Sequence, residues 1–199
     1  MKYPDFFDDV ENIILKGNLS DFLGTFEDGI IEFKYTEIVK SAGHSCPTIA
    51  GAYIMTLKGL KALYGSEIPQ RGNIKVEFSE DSSDGVAGVI ANTISNITGA
   101  TETSGFKGIG GNFVRHSLMK FQASINSSVR FIRIDTGAFV DVYYHPDFIP
   151  GDPLIQELMP KVLYNSASTA EKKQFGMLWQ NRVKEIVTHI DDVITVSSN

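Results

Sequence analysis

A histidine and the chain's only cysteine, His44 and Cys46, lie two positions apart and directly before Pro47. Imidazole and thiolate are side-chain ligands that zinc and other borderline metals prefer. Proline is favoured at the first position of a helix, and a helix N-terminus carries partial positive charge that favours a thiolate. An isolated cysteine is commonly a small buried apolar residue. The coincidence of both donors with a helix start favours a functional site containing His44 and Cys46.

The ligand set of such a site must extend beyond this loop. With one cysteine, the chain can form neither an internal disulfide nor a cysteine-rich zinc module. We expect His116 to be the third protein ligand, with Asp84 and Glu102 as the next candidates. Zinc is the expected ion, and iron and nickel are the alternatives. An open coordination position would allow hydrolytic, lyase-like or one-carbon chemistry, among which the sequence does not choose.

The segment 104–112 contains four glycines and one lysine. Its spacing differs from both nucleotide-binding glycine patterns, and a helix is predicted before it rather than after it. The segment therefore favours a turn packed against the His44 loop. In a second interpretation the pocket holds a cofactor or small anion without catalysis, with Lys107, Gly108 and Asn112 as contacts. In a third, Cys46 is a metal-free nucleophile or redox thiol activated by His44.

Hydrophobic periodicity predicts helices and strands in mixed order. The expected elements are a helix over 4–16, a strand over 30–33, a helical turn over 36–42, a helix from Pro47 to Gly65, a strand over 74–78, a helix with Asp84 as its N-cap that ends near Gly99, a strand within 118–125, and a hairpin of 129–134 with 139–144. We therefore predict a single α+β domain over 1–199, with a mainly antiparallel sheet and a core over about 30–145.

The end of the chain is predicted to be a helical extension over about 150–199. Asp152 and Pro153 start a short helix that Pro160 should end or bend. Ser168 and Glu171 have the spacing of a capping box. The long helix that they open carries an apolar stripe, interpreted as core or subunit-interface packing: Phe175, Leu178, Trp179, Val183, Ile186, Val187 and Ile190.

The composition indicates which binding partners and which cellular compartment to expect. The formal net charge of −6 argues against nucleic-acid binding. The acidic N-terminus does not match a signal peptide, and no apolar run is long enough for a membrane span. We expect a cytoplasmic protein without a membrane partner, and its small-molecule ligand is unknown.

Three stretches together resemble the FmdE-like family, which is named for the E-subunit of formylmethanofuran dehydrogenase: Gly43-His44-Ser45-Cys46-Pro47, Ile97-Thr98-Gly99-Ala100, and Phe106-Lys107-Gly108-Ile109-Gly110-Gly111-Asn112-Phe113. The resemblance covers about the middle half of the chain. It implies an α+β fold, a homodimer, and a metal-associated active site at the His-x-Cys loop. Such proteins also occur where no one-carbon pathway operates, so the resemblance implies no particular substrate.

This chain departs from the family pattern at three positions. The family commonly carries a cysteine where this chain has Ala100, often an aspartate where it has Asn92, and a further cysteine where it has Val89. None of these three residues can replace a thiolate or a carboxylate as a ligand or acid–base group. Either the site uses other partners or it has changed toward a binding role.

Overall fold

The structure, a computed structural model that describes residues 2–198, is built on two β-sheets and seven α-helices within that range. The strands are β1 (Ile13–Lys16), β2 (Ile30–Phe33), β3 (Ile74–Glu77), β4 (Met119–Lys120), β5 (Val129–Arg133), β6 (Phe139–Tyr144) and β7 (Ile194–Ser198). The helices are α1 (Asn18–Phe22), α2 (Tyr35–Ala42), α3 (Pro47–Tyr64), α4 (Ala87–Thr98), α5 (Leu154–Leu163), α6 (Thr169–Thr188) and α7 (Ile190–Val193).

The larger sheet has five strands in the order β4-β3-β5-β6-β7, and every pair except β3–β4 is antiparallel. The parallel pair is joined through α4, which packs on α3. β1 and β2 form a separate antiparallel pair. The predicted α+β class with a mainly antiparallel sheet is confirmed. Within residues 2–198, no helix has the length and apolar character needed to cross a membrane.

Helix α3 is the centre of the core. It contacts β5, β6 and β7 as well as α4 and α6, and 13 of its 18 residues are buried. A helix enclosed in this way is apolar on nearly all sides, and it gains most of its stability from tertiary packing. Its two lysines reach solvent, where Lys58 pairs with Asp191 at 2.6 Å.

Two buried tyrosines join the small sheet to α3. The rings of Tyr35 and Tyr53 lie 5.3 Å apart in an edge-on arrangement, and both residues are fully buried. The Tyr53 hydroxyl lies 2.8 Å from the carbonyl of Glu11 and 2.9 Å from that of Phe33 and can donate to either. Because a buried hydroxyl needs a partner, this contact holds the start of β1 and the end of β2 against the helix.

Most predicted central elements are confirmed, including α3, β3 and the β5–β6 hairpin. The predicted helix over 4–16 is wrong: a short 3-10 helix at Asp5–Phe7 is followed by β1, which pairs with β2. The apolar spacing of this segment suits either periodicity, and strand pairing with β2 decides it. Asp84 is not an N-cap, because α4 begins at Ala87 with Val86 as its cap. Asp84 instead closes a turn, and its carbonyl accepts from the Ala87 amide.

The C-terminal part of the chain returns to the core. The capping box of Ser168 and Glu171 is present, with Glu171 N–H donating to Ser168 Oγ at 3.2 Å. Pro160 does not end α5, which continues to Leu163. Proline has no N–H to donate to the carbonyl of Gln156, four residues earlier; both residues are exposed, so water can solvate that carbonyl. Strand β7, which the sequence pattern does not predict, pairs with β6 at the sheet edge.

The predicted apolar stripe of α6 is buried only in its C-terminal half. Val183, Ile186 and Val187 are buried, whereas Phe175 and Trp179 are partly exposed. The N-terminal half of α6 therefore carries aromatic side chains that the rest of the protein covers only in part.

We predict opposite effects of alanine at two helical glycines. In Gly59→Ala, a Cβ atom would lie 2.6 Å from Phe131 Cδ2, so overpacking should lower the free energy of unfolding by about 1–3 kcal/mol. In Gly176→Ala, the Cβ atom meets nothing within 4 Å, so the gain in helix propensity should raise the free energy of unfolding by about 0.5–1 kcal/mol. Urea unfolding measures both, and equal stability of the two variants would contradict the packing described here.

Candidate functional site

The His44 loop is formed by two helix ends. Helix α2 stops at Gly43, whose φ of 77° is left-handed and favours glycine. Cys46 is the N-cap of α3 in an extended conformation, and Pro47 occupies the first helical position. The predicted helix start is confirmed, although the Cys46 side chain makes no capping hydrogen bond to the first turn of α3.

Three side chains fix the loop. Ser45 Oγ shares a hydrogen bond of 2.9 Å with the Tyr35 hydroxyl, and the Ser45 carbonyl accepts from Gln180 Nε2 at 2.9 Å. The Tyr144 hydroxyl donates to the Pro47 carbonyl at 2.7 Å. Burial is the main cause that raises the pKa of both Tyr35 and Tyr144, so both phenols remain neutral.

Gly51 allows Tyr144 to reach the first turn of α3. A Cβ atom at position 51 would overlap the Tyr144 ring. The glycine after the His-x-Cys motif therefore has a packing role: it admits the ring whose hydroxyl holds the Pro47 carbonyl.

His44 is exposed, and its Nδ1 lies 3.1 Å from the Ala42 carbonyl. A carbonyl oxygen can only accept, so Nδ1 carries the proton in this contact. In the neutral ring, Nε2 is then left with a lone pair that can accept a proton or bind a metal.

Cys46 and His44 line one cavity of about 620 Å³, which we call the thiol cavity. Its opposite wall comes from α5 and α6, and five of its side chains are large and apolar. The cavity is lined by His44, Ser45, Cys46, Met159, Val162, Leu163, Phe175, Gly176, Trp179 and Gln180. The chain's only cysteine and only tryptophan thus share one mostly apolar space.

A second cavity of about 470 Å³ lies between His44 and α4, and we call it the imidazole cavity. Its wall includes Val89 and Asn92, the positions at which the resembled family carries a cysteine and an aspartate. A thiolate and a carboxylate there would add two ligands to the space beside His44. Ala100, the third such position, is fully buried.

The expected metal set is not assembled in this structure. Within residues 2–198, no group of three or more histidine, cysteine, aspartate or glutamate side chains is placed to hold an ion. His116 lines neither cavity of His44, and its Nδ1 lies 3.0 Å from Ser117 Oγ. Glu102 is exposed, as is Asp84 in its turn. His44 and Cys46 alone supply two protein ligands, fewer than the three of an open catalytic zinc site.

The glycine cluster is a tight turn, closed by paired backbone hydrogen bonds of 2.9 and 3.0 Å between Ile109 and Asn112. Lys107 is exposed, and Gly108 has a φ of 92°. None of the cluster residues lines the thiol or imidazole cavity. Asn112 lies instead at a third cavity with Arg71 and Arg115. The cluster is therefore built as a turn but is placed away from His44.

Sequence patterns do not identify two parts of these cavities. Trp179 and Gln180 reach the His44 loop only because α6 packs on α3, and Gln180 is 135 positions from its partner Ser45. Arg71 and Arg115 are joined over 44 positions. The stripe of α6 is the available signal for Trp179, but periodicity cannot separate a core aromatic from one lining a cavity.

The fold and the cavities define an α+β protein with a His-x-Cys loop at the mouth of an apolar cavity. No family model matches the chain, and no curated protein matches it. The likeness to the FmdE-like family therefore rests on the motif residues alone.

The shared cavity allows Trp179 to report on Cys46. Methyl methanethiosulfonate should convert Cys46 to a mixed disulfide and reduce Trp179 emission, because disulfides quench nearby indole fluorescence. Cys46→Ser treated in the same way is the control and should show no change. Emission and intact mass are measured together; complete modification with unchanged emission would show that the two side chains do not share the cavity.

Proposed function

We propose that the protein binds a small organic molecule with an apolar body in the thiol cavity, with His44 and Cys46 contacting its polar end. The observation that carries this proposal is the composition of the cavity wall. Ligand sites are mostly apolar with a few placed polar groups, and a volume of about 620 Å³ is within their range. The α5 side contributes Met159, Val162 and Leu163, and α6 contributes Phe175 and Trp179.

Exposure of the wall supports a ligand rather than simple core packing. Leu163 is 68% exposed, and Phe175 and Trp179 are partly exposed although the C-terminal half of their helix is packed into the core. Covering such side chains is favourable by roughly 25 cal/mol per Å² of apolar surface. An apolar ligand that fills the cavity would gain this contribution and place its polar end at the loop.

The polar end of the cavity is rigid. The Ser45 backbone is held by Gln180, and the start of α3 is held by Tyr144. A preformed polar end reduces the ordering cost of binding. His44 supplies an imidazole and Cys46 a thiol at this end, which suits hydrogen bonding, proton transfer or covalent attachment to a bound molecule.

Filling the cavity should abolish binding. The fluorescent apolar probe 1-anilinonaphthalene-8-sulfonate should bind saturably and quench Trp179 by energy transfer. Gly176→Leu places a side chain in open space at the cavity wall and should weaken the probe's affinity by about tenfold or more. Gly176→Ala is the matched control and should bind like the wild type. Titration of Trp179 emission measures all three proteins.

Two results would contradict the proposal: unsaturable probe binding to the wild type, or equal affinity of Gly176→Leu and Gly176→Ala. Protection of Cys46 from alkylation by the bound probe places the probe at the loop. Alkylation at an unchanged rate would mean that it binds elsewhere.

A metal-binding function is the second candidate, and the His44 tautomer favours it. Nδ1 bound to a carbonyl with Nε2 available is the arrangement that orients metal-ligating histidines. The two described donors do not fit a complete zinc site, so the remaining ligands would come from solvent, the bound molecule or a second copy. The homodimer implied by the resemblance is part of this candidate, and light scattering of the same samples tests it.

Metal content should respond to both loss and gain of ligands. Elemental mass spectrometry should find zinc, iron or nickel in the untagged protein, and His44→Ala and Cys46→Ala should each reduce it. The double variant Val89→Cys with Asn92→Asp adds two ligands beside His44 and should raise zinc retention after exposure to a weak chelator. Two results would contradict the metal-binding function: metal that persists in both alanine variants, or no metal in the wild type after reconstitution. Either result would leave the Cys46 thiol as the reactive group.

A further inference from the structure

The third cavity, which we call the arginine cavity, has a volume of about 310 Å³. Two guanidinium groups, those of Arg71 and Arg115, line it together with three asparagines, Asn18, Asn73 and Asn112. It lies beyond the C-terminal end of α4, and the proposed ligand site does not include it.

The two arginines lack a carboxylate partner among the described residues. Arg115 is only 8% exposed, yet neither it nor Arg71 forms an ion pair within residues 2–198. Burial lowers the pKa of both groups, and burial together with the charge of Arg71 lowers the pKa of Arg115 to about 10. Both remain charged at neutral pH, so the cavity holds two positive charges that no described side chain neutralises.

The two arginines of β5 show the usual arrangement. Arg130 pairs with Asp141 at 2.7 Å, and Arg133 pairs with Asp135 at 2.7 Å. Their pKa values are raised by these carboxylates, the opposite of the direction at Arg71 and Arg115. Buried charges are normally paired, so a buried arginine without a carboxylate calls for an explanation.

Structural contacts use only part of each guanidinium group. Arg71 donates from Nε to the Ile97 carbonyl and from Nη2 to the Asn96 carbonyl, which suits a cation at the end of α4. Arg115 donates from Nη1 to the Arg71 carbonyl at 2.6 Å. Within residues 2–198, three guanidinium nitrogens of this pair have no hydrogen-bond acceptor: Arg71 Nη1, Arg115 Nε and Arg115 Nη2. None of the three is completely buried. These donors remain accessible to a ligand.

Two glycines with left-handed backbone conformations make room for the side chains of Arg71 and Arg115. Gly72 has a φ of 88°, and a Cβ atom there would overlap the Arg115 guanidinium. Gly99 has a φ of 77°, and a Cβ atom there would lie 3.1 Å from Arg71 Nη1. The backbone is thus shaped to let both cations approach one space.

We infer that the arginine cavity binds a phosphoryl group, either as free phosphate or as part of a small phosphorylated molecule. Two guanidinium charges match a phosphate dianion, whereas a single carboxylate would neutralise only one of them. The asparagine amides add neutral donors, and the cavity has room for a small attached body.

Thermal unfolding at neutral pH tests this inference with inorganic phosphate as the probe. Saturating phosphate should raise the Tm of the wild type by roughly 5 °C, whereas chloride at equal ionic strength should not. Asn112→Asp places a carboxylate at the exposed edge of the cavity, where it should pair with the arginines and abolish the phosphate-dependent shift. Asn165→Asp, the same charge change at an exposed turn, is the control and should keep it.

Arg115→Met should also abolish the shift. If circular dichroism shows that this buried substitution prevents folding, the Asn112→Asp result by itself tests the inference. A wild-type shift no larger than that with chloride, or an equal shift in wild type and Asn112→Asp, would overturn the inference.

Calorimetric titration distinguishes the two sources of the phosphoryl group. Tighter binding of glycerol 3-phosphate than of inorganic phosphate assigns the cavity to a phosphorylated small molecule. Equal or weaker binding assigns it to the free ion.

Discussion

Burial of α3 is the constraint on which the rest of the structure depends. The helix is enclosed by the sheet, α4 and α6, and its start is held where Tyr144 meets Gly51 and the Pro47 carbonyl. Since the first residue of α3 is also the end of the His44 loop, packing that stabilises the core fixes the thiol in space. The site inherits its rigidity from the core.

Local signals predict the elements whose boundaries are determined by adjacent residues. Pro47 marks the start of α3, the Gly-containing link marks the β5–β6 hairpin, and Ser168 with Glu171 marks the start of α6. The two failures that concern strands share one cause, which is pairing between distant segments. The apolar spacing of residues 4–16 also suits a helix, and no local signal marks β7, because each strand is defined by a partner elsewhere in the chain.

The candidate site divides in the same way. His44 and Cys46 can be identified from residue type and spacing, but the apolar wall opposite them comes from α5 and α6, more than a hundred positions later. The expected third ligand, His116, illustrates the limit: its position after a glycine cluster says nothing about which cavity the cluster faces. Val89 and Asn92 do lie beside His44, and neither side chain supplies a thiolate or a carboxylate to the described donors.

Helix α4 connects the imidazole cavity beside His44 with the arginine cavity. Its wall residues face His44, while the carbonyls at its C-terminal end accept from Arg71. Asn96 belongs to both, because its carbonyl accepts from Arg71 and its amide donates to Ser41 Oγ at 2.9 Å, three residues before His44. A net charge of −6 disfavours anions over most of the surface, so the arginine pair must act locally, at short range and in a partly buried space. Packing of α4 on α3 therefore positions the imidazole cavity and the arginine cavity through one element, whereas the apolar thiol cavity depends on the packing of α6 on α3.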